Sequence, residues 1–148
     1  THKHHHFTLV CRDLSEIAHY ARVNNQQYRL LKAFTPGPYT FILPATRQTP
    51  KRLQNPRRRT IGIRVPGHPV PLAILTELGE PLMSSTLLLP GDDLPMTDAR
   101  EIQERLYHVV DAVIDGGNCG MEATSVIHLV GPGPVLARRG KGDVTAFE

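Results

Sequence analysis

The chain has 148 residues, an apolar fraction of 40% and a formal net charge of +3. This length and composition fit one globular domain with a core of Leu, Ile, Val and Ala. No apolar run reaches the ~18 residues of a membrane span, and the polar start is unlike a signal peptide. Two cysteines, Cys11 and Cys119, do not make a disulfide framework, so we expect a reducing compartment, by default the cytoplasm, and no membrane partner.

The chain opens with a histidine-rich tract, His2-Lys3-His4-His5-His6. Such a tract is typical of a tag remnant or of loose metal binding in solution. Adjacent ligands at a chain end lack the fixed geometry of a metal site, so we assign no metal. A strand pattern begins at Phe7 with no Met before it, and we expect this chain to be part of a longer protein.

The first half of the chain predicts strands at 7–11, 39–43 and 60–65. Between and after them, apolar spacing predicts helices at 13–20, 25–34 and 70–78. Asp13 and Glu16 have the spacing of a capping box at the first helix start. The Thr-Pro-Gly-Pro segment 35–38 ends the second helix, and Gly79 ends the third.

The second half predicts strands at 82–89, 111–115, 124–130 and 135–137. One helix, capped by Thr97-Asp98, is predicted through Tyr107. Strands and helices therefore alternate early, while the closing strands follow one another without helices. We expect an α/β fold with a twisted sheet of mixed parallel and antiparallel strands and flanking helices.

Polar groups interrupt two strands that are otherwise apolar. Arg64 lies in Thr60-Ile-Gly-Ile-Arg-Val, and Ser84-Ser85-Thr86 lie in a Leu/Met run. A polar group without a partner in an apolar interior costs about 1–3 kcal/mol, so each of these side chains must have a partner or face a ligand. Arg64 could pair with Asp92, Asp93 or Asp115, and the hydroxyls could bond to strand carbonyls. Alternatively, they bind phosphate or carboxylate groups.

A basic segment joins two of the predicted strands. It holds six cations and no acidic residue: Arg47, Lys51, Arg52, Arg57, Arg58 and Arg59. Such a run is commonly a solvated surface. It could also bind nucleic-acid phosphates through release of counterions, although no aromatic residue offers a stacking platform. No Gly-rich phosphate-loop motif occurs, and nothing marks a covalent nucleophile or an acid–base pair.

Five short segments, taken in order, resemble the YrdC/YciO family, which includes the threonylcarbamoyl-AMP synthases. They are Thr35-Pro-Gly-Pro-Tyr-Thr, Thr60-Ile-Gly-Ile-Arg-Val-Pro, Pro81-Leu-Met-Ser-Ser-Thr, Thr124-Ser-Val-Ile and Arg138-Arg-Gly. The run Ser84-Ser-Thr-Leu-Leu-Leu-Pro-Gly91 is most similar to the YciO branch. The resemblance implies a YrdC-like domain over 1–148 with a wide, positively charged cavity.

The resemblance also implies ligands and roles. It implies ATP with Mg²⁺, L-threonine and bicarbonate as ligands, and tRNA or double-stranded RNA as a partner, in modification of adenosine 37 of tRNA. By matching position, the expected ATP-binding residues are Thr60, Thr86 and Arg138. The expected threonine-binding residues are His5, Arg64, Ser84 and either or both of Thr124 and Ser125. The six basic residues are the expected RNA contacts.

Two departures separate this chain from the synthases. Leu87 and Leu88 stand where the family continues its hydroxyl segment with Ala-Asn. The family's first strand, helix, threonine/ATP-binding loop and Lys-x-Arg pair have no counterpart here. We therefore keep three hypotheses: a nucleotide- and RNA-binding protein related to the synthases, a non-catalytic RNA-binding module, or a folded fragment without activity.

Overall fold

The computed structural model describes residues 7–117, 120 and 122–148. Its strands are β1 (Thr8–Val10), β2 (Tyr39–Pro44), β3 (Thr60–Arg64), β4 (Leu82–Ser84), β5 (Ser125–His128) and β6 (Val135–Arg138). Its helices are α1 (Leu14–Tyr20), α2 (Asn25–Phe34), α3 (Pro69–Leu78) and α4 (Ala99–Leu106). Short 3-10 turns cover Lys51–Leu53 and Thr145–Phe147.

The six strands form one sheet in the order β4-β1-β3-β2-β5-β6. β1 with β3 and β2 with β5 are parallel, while β1 with β4, β2 with β3 and β5 with β6 are antiparallel. The expected α/β class and mixed sheet are therefore confirmed, including the antiparallel pairing of the closing strands.

The helix ends follow the capping residues in the sequence. Asp13 Oδ1 accepts from Glu16 N at 3.1 Å, but Glu16 Oε1 accepts from Arg12 N rather than from the cap. α3 ends at Gly79, whose φ of 74° is the left-handed conformation that glycine adopts without strain.

One sheet face is the hydrophobic core. Along β2, Tyr39, Phe41 and Leu43 are buried and point to the same side, because alternate residues of a strand share a face. Ile63 of β3 and Ile127 of β5 pair with Phe41 and share that side. The helices supply their own buried residues to the same cluster: Ile17 and Ala21 at α1 and Leu31 of α2.

The chain divides into two compact units. The first runs to Ser85 and resumes at Ala123, and it contains the whole sheet. The second, Thr86–Glu122, contains α4. Among its described residues, Met96 is the one buried hydrophobic side chain.

Two predicted strands differ from the structure. β4 covers Leu82–Ser84, where it pairs with β1, instead of continuing to residue 89. Residues 111–115 form no strand; Ile114 is 62% exposed, and no described strand pairs with this segment. Apolar character alone therefore did not suffice where no partner strand was available.

Candidate functional site

The sheet face opposite the core carries the polar side chains. Ser84, Thr8, Gly62, Ile42 and His128 form one row of paired residues across five strands. Paired residues point to the same face, as do residues two apart along a strand. We call this side the polar face, and its hydroxyl and guanidinium groups belong to Thr8, Thr40, Thr60, Ser84, Thr124, Arg64 and Arg138.

Gly62 leaves the middle of the polar face without a side chain. A Cβ at this position would lie 3.3 Å from Ile42 Cδ1, 3.4 Å from Thr40 Cγ2 and 3.8 Å from Thr8 Oγ1. A side chain here would cover the space between the surrounding threonines. Glycine instead leaves the β3 backbone open to close approach by a ligand.

Arg64 is the last residue of β3 and pairs with Val10 on the polar face. Its Nε is buried and has no hydrogen-bond partner. Burial lowers the pKa of its guanidinium. Such a cation is costly to leave without a partner and is well suited to an incoming anion.

Two of the three aspartates weighed as partners of Arg64 have other partners. Asp92 pairs with Arg105 at 3.2 Å, and Asp115 Oδ1 accepts from Gly117 N at 3.0 Å. Among the described residues of the first unit, no carboxylate forms an ion pair with Arg64. The ligand-facing role of Arg64 stays a prediction.

Three polar residues of the face are joined across β2, β5 and β6. Arg138 donates to Thr124 O from Nε at 3.1 Å and from Nη2 at 2.8 Å, and Nη2 also donates to Thr124 Oγ1 at 3.2 Å. Thr124 Oγ1 lies 2.7 Å from Thr40 Oγ1. Thr124 and Arg138, predicted for different ligands, are thus brought together.

Ser84 and Thr60 also lie on the polar face. Ser84 Oγ donates to Thr8 O at 3.4 Å. This is a long hydrogen bond to the carbonyl of a neighbouring strand, which was the alternative to ligand binding for this hydroxyl. Thr60 is 7% exposed and pairs with Pro44 at the other end of β3 from Arg64. Ser84 and Thr60 therefore lie on the same sheet face as Arg64.

Ser125 does not join this group. It points to the core face, is fully buried, donates from Oγ to Gly142 O at 2.7 Å and accepts from Gly140 N at 3.0 Å. This position and these partners favour a structural role for Ser125 over the expected threonine contact, which stays a prediction. Its hydroxyl instead holds the segment that follows β6.

Thr86 and His5 are the two remaining residues of the expected site. Thr86 lies beyond the end of β4 and in the second unit, so strand alternation does not align it with Ser84 as predicted. His5 lies outside the described residues. Their ligand roles stay predictions.

The segment after β6, residues 139–143, is fastened to the sheet. Tyr39 Oη donates to Asp143 O at 2.9 Å, and Lys141 N donates to Ala123 O at 2.8 Å. Glycine is required at residue 142, since a Cβ there would lie 2.4 Å from Tyr39 Cε1. These contacts fix the backbone immediately after Arg138.

The basic segment has an ordered backbone and exposed cations. Thr49 is buried and donates to Tyr20 O at 2.6 Å, and Gln54 Nε2 donates to Thr49 O at 2.8 Å. Asn55 Oδ1 accepts from the backbone N of Arg57 and Arg58 at 3.0 and 3.1 Å. All six predicted RNA contacts are exposed: Arg47, Lys51, Arg52, Arg57, Arg58 and Arg59.

In the part of the chain that the structure describes, no group of three His, Cys, Asp or Glu could hold a metal ion. The helices described there are too short or too polar to cross a membrane. A groove of about 370 Å³ in the second unit is lined by Gly91–Thr97, Glu101 and Arg105, and its acidic groups include Asp92, already paired with Arg105.

Sequence reasoning missed Thr40. It precedes Phe41 in a strand whose odd-numbered residues are apolar, so alternation alone would have placed its hydroxyl on the face opposite the core. Thr40 is 8% exposed, and its hydroxyl contacts Thr124.

The fold and face described above correspond to a known class of protein. Residues 1–140 match the family model described as Telomere recombination, Sua5/yciO/yrdC, and the chain belongs to this family. It is 50% identical over 144 residues to an uncharacterized protein of Haemophilus influenzae, which covers 97% of this chain and 70% of that protein.

Solved structures agree. The crystal structure of E. coli YciO is 49% identical, matches with a TM-score of 0.90, and the match covers 97% of this chain and 70% of that chain. The crystal structure of P. abyssi Sua5 complexed with L-threonine is 25% identical, with a TM-score of 0.82 over 92% of this chain and 40% of that chain. The resemblance inferred from the five sequence segments is confirmed.

Proposed function

We propose that the protein binds ATP and L-threonine on the polar face, as a YciO-like relative of the threonylcarbamoyl-AMP synthases, and that it also binds RNA. The observation that carries the ligand proposal is Arg64, a half-buried arginine whose Nε is buried and has no partner. It lies on a face shared with several hydroxyls. Its complement is a carboxylate, which L-threonine supplies.

Five side chains of the polar face have a role in this proposal. Arg64 holds the threonine carboxylate, with Ser84 and Thr124 as further polar contacts. Thr60 and Arg138 lie on the same face and contact ATP, Arg138 at the phosphates. The roles of Thr86 toward the nucleotide and of His5 toward threonine stay sequence-based predictions.

Mg²⁺ enters this proposal with the nucleotide. The described residues contain no cluster of three acidic, His or Cys ligands, whereas ATP phosphates bind Mg²⁺ readily. The ion would neutralise phosphate charge beside Arg138. In this proposal the nucleotide, and not a cluster of protein ligands, carries the ion.

Synthase chemistry would need only positioning. The threonine amine adds to bicarbonate with loss of water, and an oxygen of the resulting carbamate attacks the α-phosphorus of ATP as pyrophosphate leaves. No protein nucleophile takes part, so oriented cations and hydroxyls suffice. Leu87 and Leu88 replace an Ala-Asn pair of the family, and an apolar side chain cannot replace an amide contact. We therefore propose binding first and synthase activity as its test.

Binding is tested by calorimetry with L-threonine in the presence of Mg·ATP. Arg64→Met should weaken threonine binding about 10- to 100-fold, because a charge-assisted hydrogen bond contributes roughly 1.5–3 kcal/mol. L-Threonine methyl ester, which lacks the carboxylate charge, should bind wild type about as weakly. Arg29→Met, an exposed arginine of α2, is the matched control and should change nothing.

Equal threonine affinity of wild type and Arg64→Met would contradict the assignment. Pyrophosphate release that depends on both threonine and bicarbonate would establish synthase activity. Binding without such release would leave a nucleotide-binding protein that is not a synthase.

RNA binding is the second proposed activity, supported by the ordered basic segment. Its backbone is held by Thr49, Gln54 and Asn55, so its cations are displayed without the cost of ordering the loop on binding. Phosphates of tRNA or double-stranded RNA are the expected partners. Base stacking is not expected, because no aromatic residue lies in the segment.

Salt dependence tests this proposal. Arg57→Gln/Arg58→Gln should weaken binding to a duplex RNA evenly across sequences and lower the slope of log K against log[salt] by about 1 per lost phosphate contact. Arg29→Gln/Lys32→Gln on α2 removes the same charge elsewhere and is the control. An affinity that does not change with salt would exclude binding through this segment.

A further inference from the structure

We infer that Thr40 is a positioning residue that directs the hydroxyl hydrogen of Thr124 toward the bound ligand. This inference rests on the proposed ligand binding at the polar face. Thr40 is the last residue of the first segment that resembles the family, but the sequence analysis assigned it no ligand role. Its place in the structure, between β3 and β5, is what indicates the role.

Thr40 and Thr124 together have two hydroxyl hydrogens to donate. Each threonine hydroxyl has one hydrogen to donate and two lone pairs that accept. The 2.7 Å contact between Thr40 Oγ1 and Thr124 Oγ1 uses one of the two hydrogens. One hydroxyl hydrogen of the pair is therefore left for another acceptor.

The burial of Thr40 favours one of the two arrangements, because Thr124 Oγ1 is the one acceptor that the described residues offer to its hydroxyl hydrogen. Arg138 Nη2 donates to Thr124 Oγ1 at 3.2 Å, which occupies one lone pair. If Thr40 donates to the other, Thr124 accepts two hydrogen bonds and its own hydrogen is free to point outward. Accepted bonds polarise a hydroxyl and strengthen its donation. Thr124 then becomes a directed donor for a ligand oxygen.

Burial makes Thr40 suitable for this task. Thr40 is 8% exposed, so its neighbours restrict its rotamer. Thr124 is only half-buried. The inner hydroxyl thus orients the outer one, and the outer one meets the ligand.

The role predicts which ligand is affected. Arg138 keeps two donor bonds to the backbone carbonyl of Thr124 whether or not Thr40 has a hydroxyl. Loss of the Thr40 hydroxyl should therefore change threonine binding and spare nucleotide binding. A purely structural role would change both or neither.

The experiment compares threonine and Mg·ATP affinities of wild type, Thr40→Val, Thr124→Val and the double variant by calorimetry. Thr40→Val should weaken threonine binding about three- to tenfold, the worth of one net hydrogen bond, and leave Mg·ATP within twofold. The double variant should bind threonine no more weakly than Thr124→Val alone, because Thr40 acts through Thr124. Thr40→Ser should restore the affinity, and Thr76→Val, on the exposed side of α3, is the control for the exchange itself.

The outcomes separate the inference from the proposal beneath it. If wild type binds threonine and Thr40→Val binds it equally well, the inference is overturned and the proposed function stands. Additive losses in the double variant overturn it as well. If wild type does not bind threonine, both fall. Should Thr40→Val not fold, Thr40→Ala removes the same hydroxyl and replaces it in the comparison.

Discussion

Cys11 has no access to solvent and lies at the end of the core beside β1. Burial, followed by the charges of Glu16 and Asp13, raises the pKa of its thiol from 9.0 to about 12. Between these two values the folded protein keeps a proton that the unfolded chain has lost. The contribution of Cys11 to stability is therefore complete below pH 9 and declines as the pH rises toward 12.

This predicts a difference between wild type and Cys11→Ala in urea unfolding at pH 8 and pH 10. Wild type should lose about 1 kcal/mol more of its free energy of unfolding over this interval than the variant does. Burial also raises the pKa values of Tyr20 and Tyr39; the contribution of Tyr39 cancels between the two proteins, whereas Cys11 is a lesser cause of the raised pKa of Tyr20, after burial and Glu16. Parallel pH profiles of the two proteins would show that Cys11 ionises freely.

The segment after β6 shows how an element depends on one buried hydroxyl. Ser125 Oγ bonds both Gly142 O and Gly140 N. Ser125→Ala leaves both backbone groups without this partner and should lower the free energy of unfolding by about 1–3 kcal/mol. Chemical denaturation measures this, and Ser15→Ala, an exposed serine of α1, is the control.

The same variant separates a structural role from a ligand role. If Ser125 contacted threonine, Ser125→Ala would lower the threonine affinity and leave the free energy of unfolding unchanged. We expect the opposite: Ser125→Ala should lower the free energy of unfolding and should weaken threonine binding less than Thr124→Val does. An unchanged unfolding free energy would contradict the role assigned to Ser125.

The sequence predicted the helices and most strands because their signals are local. Asn25–Phe34 begins after a capping residue and ends before Pro36, and both limits are encoded in neighbouring residues. The choice between Thr124 and Ser125 could not be made in the same way. Adjacent strand residues face opposite sides, and only the register with β2 decides which side is the core.

Partner strands are the other information that a local pattern lacks. The Leu/Met run after Pro81 extends well past Ser84, yet among the described residues it pairs with β1 over Leu82–Ser84 alone. The arginine signal was stronger, because a charge in an Ile/Val strand is costly wherever the strand lies. Arg64 was thus identifiable from residue type, while Thr40 needed its neighbours.

The two units of the molecule differ in how much apolar surface they bury. The central strands β3, β2 and β5 contribute Ile63, Phe41 and Ile127, all fully buried. α4 has no buried residue, and its ion pairs join Arg105 to Asp92 and Glu101 on the surface. Exposed pairs of this kind contribute about 0–1 kcal/mol, so α4 depends little on them.

Hydrogen exchange should therefore separate the units. Amides of α4 should exchange through local opening at least about 100-fold faster than those of the central strands, because opening them exposes little apolar surface. α2 is the matched comparison, since it is a helix of similar length with Leu31 buried in the core, and it should be protected like the sheet. Mass spectrometry of peptides covering 99–106 and 25–34 measures both rates in one experiment. Equal protection of the two helices would mean that Thr86–Glu122 unfolds only with the sheet, and the division into two units would then have no energetic counterpart.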